Sequence, residues 1–160
     1  ITCGIAFNHE SERRGTEFVT RKITQAVAKI KRGEAEIVRL GNLEAKRDWS
    51  HAQDTVRAIW RLMQLDEPQD CVIASGESHS VQEFADAAFN VAGLNPSNHI
   101  LQDMSLFRPT DSAVFCGESR KLRQLTGWQP IISFAGLVRR MVHYDLKDAE
   151  TLNPHPSQVA

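Results

Sequence analysis

Apolar positions change their period several times along the chain, and the changes mark an alternation of strands and helices. Ile1 to Phe7 is short, apolar and partly β-branched, which predicts a buried strand. From Thr16 the spacing becomes helical: Val19, Ile23, Val27 and Ile30 share one stripe, and Gly33 ends it. Glu36 to Leu40 predicts a half-buried strand that stops at Gly41. Ser50 is expected to cap a helix with Ala52, Val56, Ile59 and Met63 on its inner face, ending near Asp66-Glu67-Pro68. Cys71 to Ala74 reads as another strand. Ser80 then caps a helix whose stripe is Val81, Phe84, Ala85, Ala88, Phe89 and Ala92, and Glu83 completes a capping box. Ile100 to Met104 predicts a short strand. Phe107 to Asp111 predicts a loop, because Pro109 keeps Arg108 out of the helical region. Ser119 to Leu125 predicts a short basic helix closed by Gly127-Trp128, and Phe134, Leu137, Val138, Met141 and Val142 mark a last helix from about Ser133 to Asp148. Asn153 to Ala160 carries two prolines and little apolar content, so it is expected to fray. Strands alternating with helices imply a layered α/β fold with some parallel pairing.

Composition narrows this picture modestly. With 160 residues the chain can bury one real core. Its net charge of −1 provides no global field for nucleic acid or an anionic membrane, so any anion site must be local. No apolar run has the length of a membrane-spanning helix, and the first residues do not form a signal peptide. Cys3, Cys71 and Cys116 are odd in number, widely spaced and set in apolar segments. Buried thiols in strands and a reducing, cytoplasmic setting are therefore expected, with no metal site. Ile1 opens directly in a strand, which implies a fragment or a processed chain, and an unpaired strand edge there favours self-association.

The chemistry starts from absences. There is no glycine-rich dinucleotide loop, no phosphate-binding Gly-Lys-Ser/Thr loop, no zinc motif and no nucleophile elbow. What remains is a set of basic residues at element ends: Arg13 and Arg14, Lys22, Lys46 and Arg47, and Arg108. Each taken singly is an ordinary solvated charge. Together, on loops at one sheet edge, their guanidinium forks would suit a diphosphate. His9 is either a donor to a phosphate or a cofactor amide, or simply a cap on the strand-to-loop turn. Asn8 reads first as a turn former. Asp111 either accepts ribose hydroxyls or pairs with Arg108, and Asp48 is expected to pair with Lys46 or Arg47 or to cap the helix beside Ser50. Trp49 and Trp128 are available for base stacking or for packing, packing being commoner.

Several blocks then resemble the GDP-mannose 4,6-dehydratase family of extended short-chain dehydrogenase/reductases. They are Gly4-Ile5-Ala6-Phe7-Asn8-His9-Glu10-Ser11, Arg14-Gly15, Phe18 to Ile23, Leu40 to Trp49, Ala74 to Val81, Phe107 to Thr110 and Gly127 to Pro130. The resemblance reaches about Asp148 and concerns that family's carboxyl-terminal half. It implies the last strands and helices of a Rossmann-type doubly wound sheet plus a small α/β substrate-binding domain, over residues 1–150, with a flexible tail at 151–160. It implies NADP as cofactor, with His9 and Arg14 touching it. It implies GDP-mannose as substrate, held by Asn8, Val19, Lys22, Arg47, Arg108 and Asp111: Lys22 near guanine, Arg47 on the diphosphate, Arg108 and Asp111 on the ribose side. The implied reaction is dehydration of GDP-mannose to GDP-4-keto-6-deoxymannose, by internal hydride transfer through NADP and loss of water. The family's catalytic Thr, Glu, Tyr and Lys would lie before Ile1, so this chain alone is expected to be inactive, to need the amino-terminal Rossmann half as partner, and to form homo-oligomers. Three positions depart from the pattern: Glu12 replaces a usual Pro, Leu106 an aromatic residue and Asp111 a Glu. Another GDP-sugar reductase or epimerase of the superfamily, or a non-catalytic sugar-nucleotide-binding module, are the alternatives.

Overall fold

The computed structural model describes residues 1–108 and 114–152, with the backbone alone for 148–152. The elements run β1 (Gly4–Ala6), β2 (Asn8–Glu10), α1 (Val19–Lys31), β3 (Val38–Leu40), β4 (Lys46–Arg47), β5 (Trp49–His51), α2 (Ala52–Leu62), β6 (Cys71–Ile73), β7 (His79–Ser80), α3 (Val81–Val91), β8 (Ile100–Gln102), α4 (Arg120–Thr126) and α5 (Phe134–Leu152). Short 3-10 turns at Pro96–Asn98 and Met104–Leu106 flank β8. Parallel pairs join β1 to β6, β2 to β5 and β3 to β8, and β4 pairs antiparallel with β7.

Two apolar cores result. The larger packs α1, α3 and α5 together, with Ile23, Val27, Phe84, Phe89, Leu137, Val138, Met141 and Val142 all buried. The expected stripes of these three helices face this core, with Val19 and Phe134 half-buried at its edge and the rest buried. Ser80 and Glu83 form the capping box: the Ser80 hydroxyl accepts the Glu83 amide at 3.0 Å, and the Glu83 carboxylate accepts the Ser80 amide at 3.2 Å. A buried ion pair between Arg21 and Asp145 ties α1 to α5. The smaller core joins α2, α4 and β6 through Ala58, Leu62, Cys71, Ile73, Leu122 and Trp128. Gly127 closes α4 in the left-handed region at φ 62°, where its amide donates to the Arg123 carbonyl at 2.9 Å.

Several expectations need correction. Helix α1 starts at Val19 rather than Thr16, and α5 runs through 151 and 152, two residues assigned to the tail; residues 153–160 lie outside the described residues. The cap of α2 is His51, not Ser50: its Nδ1 accepts the Gln53 amide at 3.1 Å. The face of α2 is also reversed. Val56, Ile59 and Met63 are exposed, whereas Asp54, Thr55, Ala58 and Leu62 are buried. Asp54 sets this orientation, because its carboxylate accepts the amides of Ile131 and Ile132 at 3.0 and 2.9 Å and the Arg57 guanidinium at 2.6 Å. A buried charge with three donors outweighs an apolar stripe. Of the three cysteines only Cys71 is buried.

The cap makes α2 sensitive to acid. Burial pushes the His51 imidazole below its ordinary range, offset in part by Glu12, while Arg140 pushes it the same way as burial. The neutral ring is therefore stabilising above the unfolded value of about 6.5, and this contribution is lost as pH falls below it. His51→Asn, which keeps a cap acceptor, is expected to flatten the fall in melting temperature between about pH 7 and pH 5. An unchanged acid slope in thermal melts would contradict this.

Candidate functional site

The strand β2 follows β1 after Phe7, and the polar run starts with its first residue, Asn8. Asn8 is not a turn residue here; it pairs with Trp49 in the β2–β5 ladder. Glu10, at 1% exposure, anchors the loop that follows. Its carboxylate accepts the Thr20 hydroxyl at 2.5 Å and lies 3.2 Å from Arg14 Nε. Burial raises the Glu10 pKa, and Thr20 and Arg14 work against that rise. Arg14 in turn lies over the Phe18 ring at 3.5 Å, at the start of α1. The short loop is thus fixed at both sides, and Arg14 is aimed by it.

A cavity of about 560 Å³ opens beside this loop. Asn8, Arg14, Val19, Lys22, Arg47 and Arg108 all line it, together with Glu17, Phe18, Trp49 and the Met104–Leu106 turn region. Six of the eight residues singled out from the sequence therefore converge on one space, although up to 100 positions separate them. His9 does not line the cavity; its Nδ1–H donates to the Phe7 carbonyl at 2.9 Å, in keeping with the capping alternative. Asp111 lies outside the described residues. Four cations face the single carboxylate of Glu17 among the described lining residues, so the cavity suits an anion of more than one charge. The Arg47 guanidinium bonds the Lys46 carbonyl at 2.8 Å and lies 5.0 Å from the Phe115 ring centre.

The floor is aromatic. Trp49, 3% exposed, meets Phe84 edge-on at 5.3 Å and lies parallel to Phe134 at 6.5 Å. Its indole is thus packed, with little surface left for stacking on a base. Trp128 is fully buried and donates Nε1–H to the Asp54 carbonyl at 2.9 Å, so it belongs to the smaller core. Gly41 lines the far wall, where an added Cβ would come within 2.7 Å of the Leu106 carbonyl oxygen. That close approach holds the 104–106 turn over the cavity. Asp103 fixes the same turn by accepting the Ser105 amide and hydroxyl at 3.0 and 2.6 Å, which holds its carboxyl below the usual range.

The residue that sequence reasoning placed wrongly is Asp48. It neither pairs with Lys46 or Arg47 nor caps α2. Its buried carboxylate accepts the Ser75 amide and hydroxyl at 2.9 and 2.7 Å, the Gly76 amide at 3.0 Å and the Gly117 amide at 3.1 Å. Three chain segments meet on this one side chain, set between two residues that line the cavity. Gly117 must be glycine, because a Cβ there would overlap that of Ala74 and press on the Phe7 ring.

In shape the chain matches about half of each of several solved Rossmann-type proteins. The RMD of Pseudomonas aeruginosa, solved with NADPH, superposes at a TM-score of 0.83 with 24% identity over 91% of this chain and 48% of that one. The dTDP-glucose 4,6-dehydratase of Bacillus anthracis, solved with NAD, superposes at 0.75 with 17% identity over 92% and 45%. These likenesses establish the fold. Sequence establishes the family: the GDP-mannose 4,6 dehydratase family model matches residues 1–141. The human GDP-mannose 4,6 dehydratase is 45% identical over 95% of this chain and 45% of its own length, and Arabidopsis thaliana GDP-mannose 4,6 dehydratase 1 is 46% identical over 92% and 41%. This chain belongs to the GDP-mannose 4,6-dehydratase family, and it spans less than half the length of these two relatives.

Proposed function

We propose that this chain is the carboxyl-terminal, substrate-binding half of a GDP-mannose 4,6-dehydratase, and that the 560 Å³ cavity receives GDP-mannose. The convergence of Arg14, Lys22, Arg47 and Arg108 on one cavity in a member of this family is the observation that carries the reading. Arg47 binds the diphosphate, Lys22 reaches the guanine end, and Arg108 with Asp111 serves the ribose side. Asn8 and Val19 border the bound nucleotide.

When bound, NADP would supply the reversible hydride chemistry of such an enzyme, and Arg14 and His9 would hold its edge. The described residues suit its edge rather than its cradle: Arg14 offers a positioned guanidinium, and His9, with Nδ1–H committed to Phe7, keeps Nε2 as an acceptor. The phosphate-binding glycine loop is not in this sequence. The sole tyrosine, Tyr144, is on α5 beside Arg21 and does not line the cavity, so it does not serve as the proton acceptor at the sugar hydroxyl. A second polypeptide segment supplies those groups. Strand β1 pairs only with β6 among the described residues, and Ile5, Ile59, Trp60 and Met63 are exposed, as expected of a sheet and helix that take an amino-terminal Rossmann half against them. Assembly as a homo-oligomer of such completed units is part of the same proposal.

Calorimetric titration with GDP-mannose should show binding, while an assay with GDP-mannose and NADP should yield no 4-keto product from this chain alone. Absence of binding would remove the site, and turnover would show that the catalytic groups are present after all.

A further inference from the structure

A second cavity, of about 800 Å³, opens at the amino-terminal end of α2 and shares no lining residue with the first. The loop after β2 divides the two, with Arg14 lining one and Arg13 the other. The second cavity has three arginines, Arg13, Arg57 and Arg140, against two carboxylates, Glu12 and Asp54. Asp54 is fully engaged with Arg57 and the Ile131 and Ile132 amides. Among the described residues Arg140 donates only to the neutral Gln53 carboxamide, at 3.1 Å, and the Arg13 side chain makes no hydrogen bond or ion pair. Two guanidinium charges therefore oppose the single carboxylate of Glu12.

Behind Glu12 lies a buried donor with no acceptor. Because His51 Nδ1 accepts the Gln53 amide, the neutral ring carries its proton on Nε2. That Nε2 is enclosed and makes no hydrogen bond, and Glu12 Oε2 stands 3.9 Å away, beyond hydrogen-bond reach. The His51 side chain is 2% exposed and that of Glu12 28%, so Glu12 stands between the His51 ring edge and solvent while the cap holds His51. The opposite wall is apolar and open, with Ile131 at 74% and Val56 at 63% exposure.

We infer that this second cavity binds an organic anion, a carboxylate or phosphate group carried on an apolar body. The anionic oxygens displace Glu12, accept from His51 Nε2–H and pair with Arg13, and the body rests on Val56 and Ile131. The inference is independent of the sugar-nucleotide reading of the first cavity.

The test is a titration of the full 160-residue chain, ¹⁵N-labelled, with phenyl phosphate, benzoate and neutral benzyl alcohol. Saturable shifts of the Gln53, Ile131 and Ile132 amides are expected with one or both anions and not with the alcohol; which anion responds tells phosphate from carboxylate. Arg13→Ala should weaken binding about tenfold, since it removes a charge-assisted pair. Glu12→Gln should tighten it roughly threefold by removing the competing carboxylate. His51→Asn keeps the helix cap and should also weaken binding; should it not fold, the Arg13 and Glu12 variants decide. Shifts that never saturate, shifts confined to Lys22 and Arg47, an equal response to the alcohol, or weaker binding in Glu12→Gln would each overturn the inference.

Discussion

Asp48→Ala is expected to lower the unfolding free energy by about 3–5 kcal/mol, the largest stability loss of any substitution beside the first cavity. The side chain is 1% exposed, and its removal leaves the amides of Ser75, Gly76 and Gly117 without their acceptor, that of Gly117 in a buried position. A domain of this size has total stability of only about 5–15 kcal/mol, so roughly a fifth or more is lost. Asp48→Asn keeps one acceptor oxygen and should cost less, about 2 kcal/mol. Urea unfolding monitored by far-UV circular dichroism measures both. A midpoint shift equivalent to under about 1 kcal/mol for the alanine variant would mean that the three segments hold together without this carboxylate.

The second large effect is on binding. Arg47→Ala is expected to weaken GDP affinity by about 1.5–3 kcal/mol, or roughly 10- to 150-fold, by removing a charge-assisted fork from the diphosphate. Arg47→Lys keeps the charge without the planar fork and should fall between the two. Stability should change little, because Arg47 is only half-buried and the Lys46 carbonyl it bonds sits at a strand end. Calorimetry of the two variants against GDP provides the comparison. Equal affinity in all three proteins would place the diphosphate elsewhere.

Helices were the legible part of this fold, and the reason is local. The apolar stripes of α1, α3 and α5 and the Ser80–Glu83 box depend on residues three or four apart, which a sequence displays directly. Helix α2 was misread because its orientation is set by Asp54, whose donors Ile131 and Ile132 lie 77 and 78 positions away. The short strands β2, β4, β5 and β7 were missed for a related reason. Each has two or three residues, largely polar, and exists through pairing with a distant partner such as His9 with Ser50. The first cavity could be anticipated because its residues stand at element ends and match a family pattern. Asp48 could not, since its role appears only when segments 27 and 69 positions apart close around it. The second cavity left no sequence signal beyond the arginines themselves, because its key donor is defined by burial and by a tautomer.

The cavity between the β2 loop, α1 and the β4–β5 segment is proposed above as a sugar-nucleotide site. The most direct measurement is a GDP titration of the ¹⁵N-labelled chain followed amide by amide. Saturable shifts are expected along Arg14 to Lys22, Lys46 to Trp49 and Ser105 to Arg108, the segments that line the cavity. No saturable change there, or saturable change only elsewhere in the chain, would contradict it.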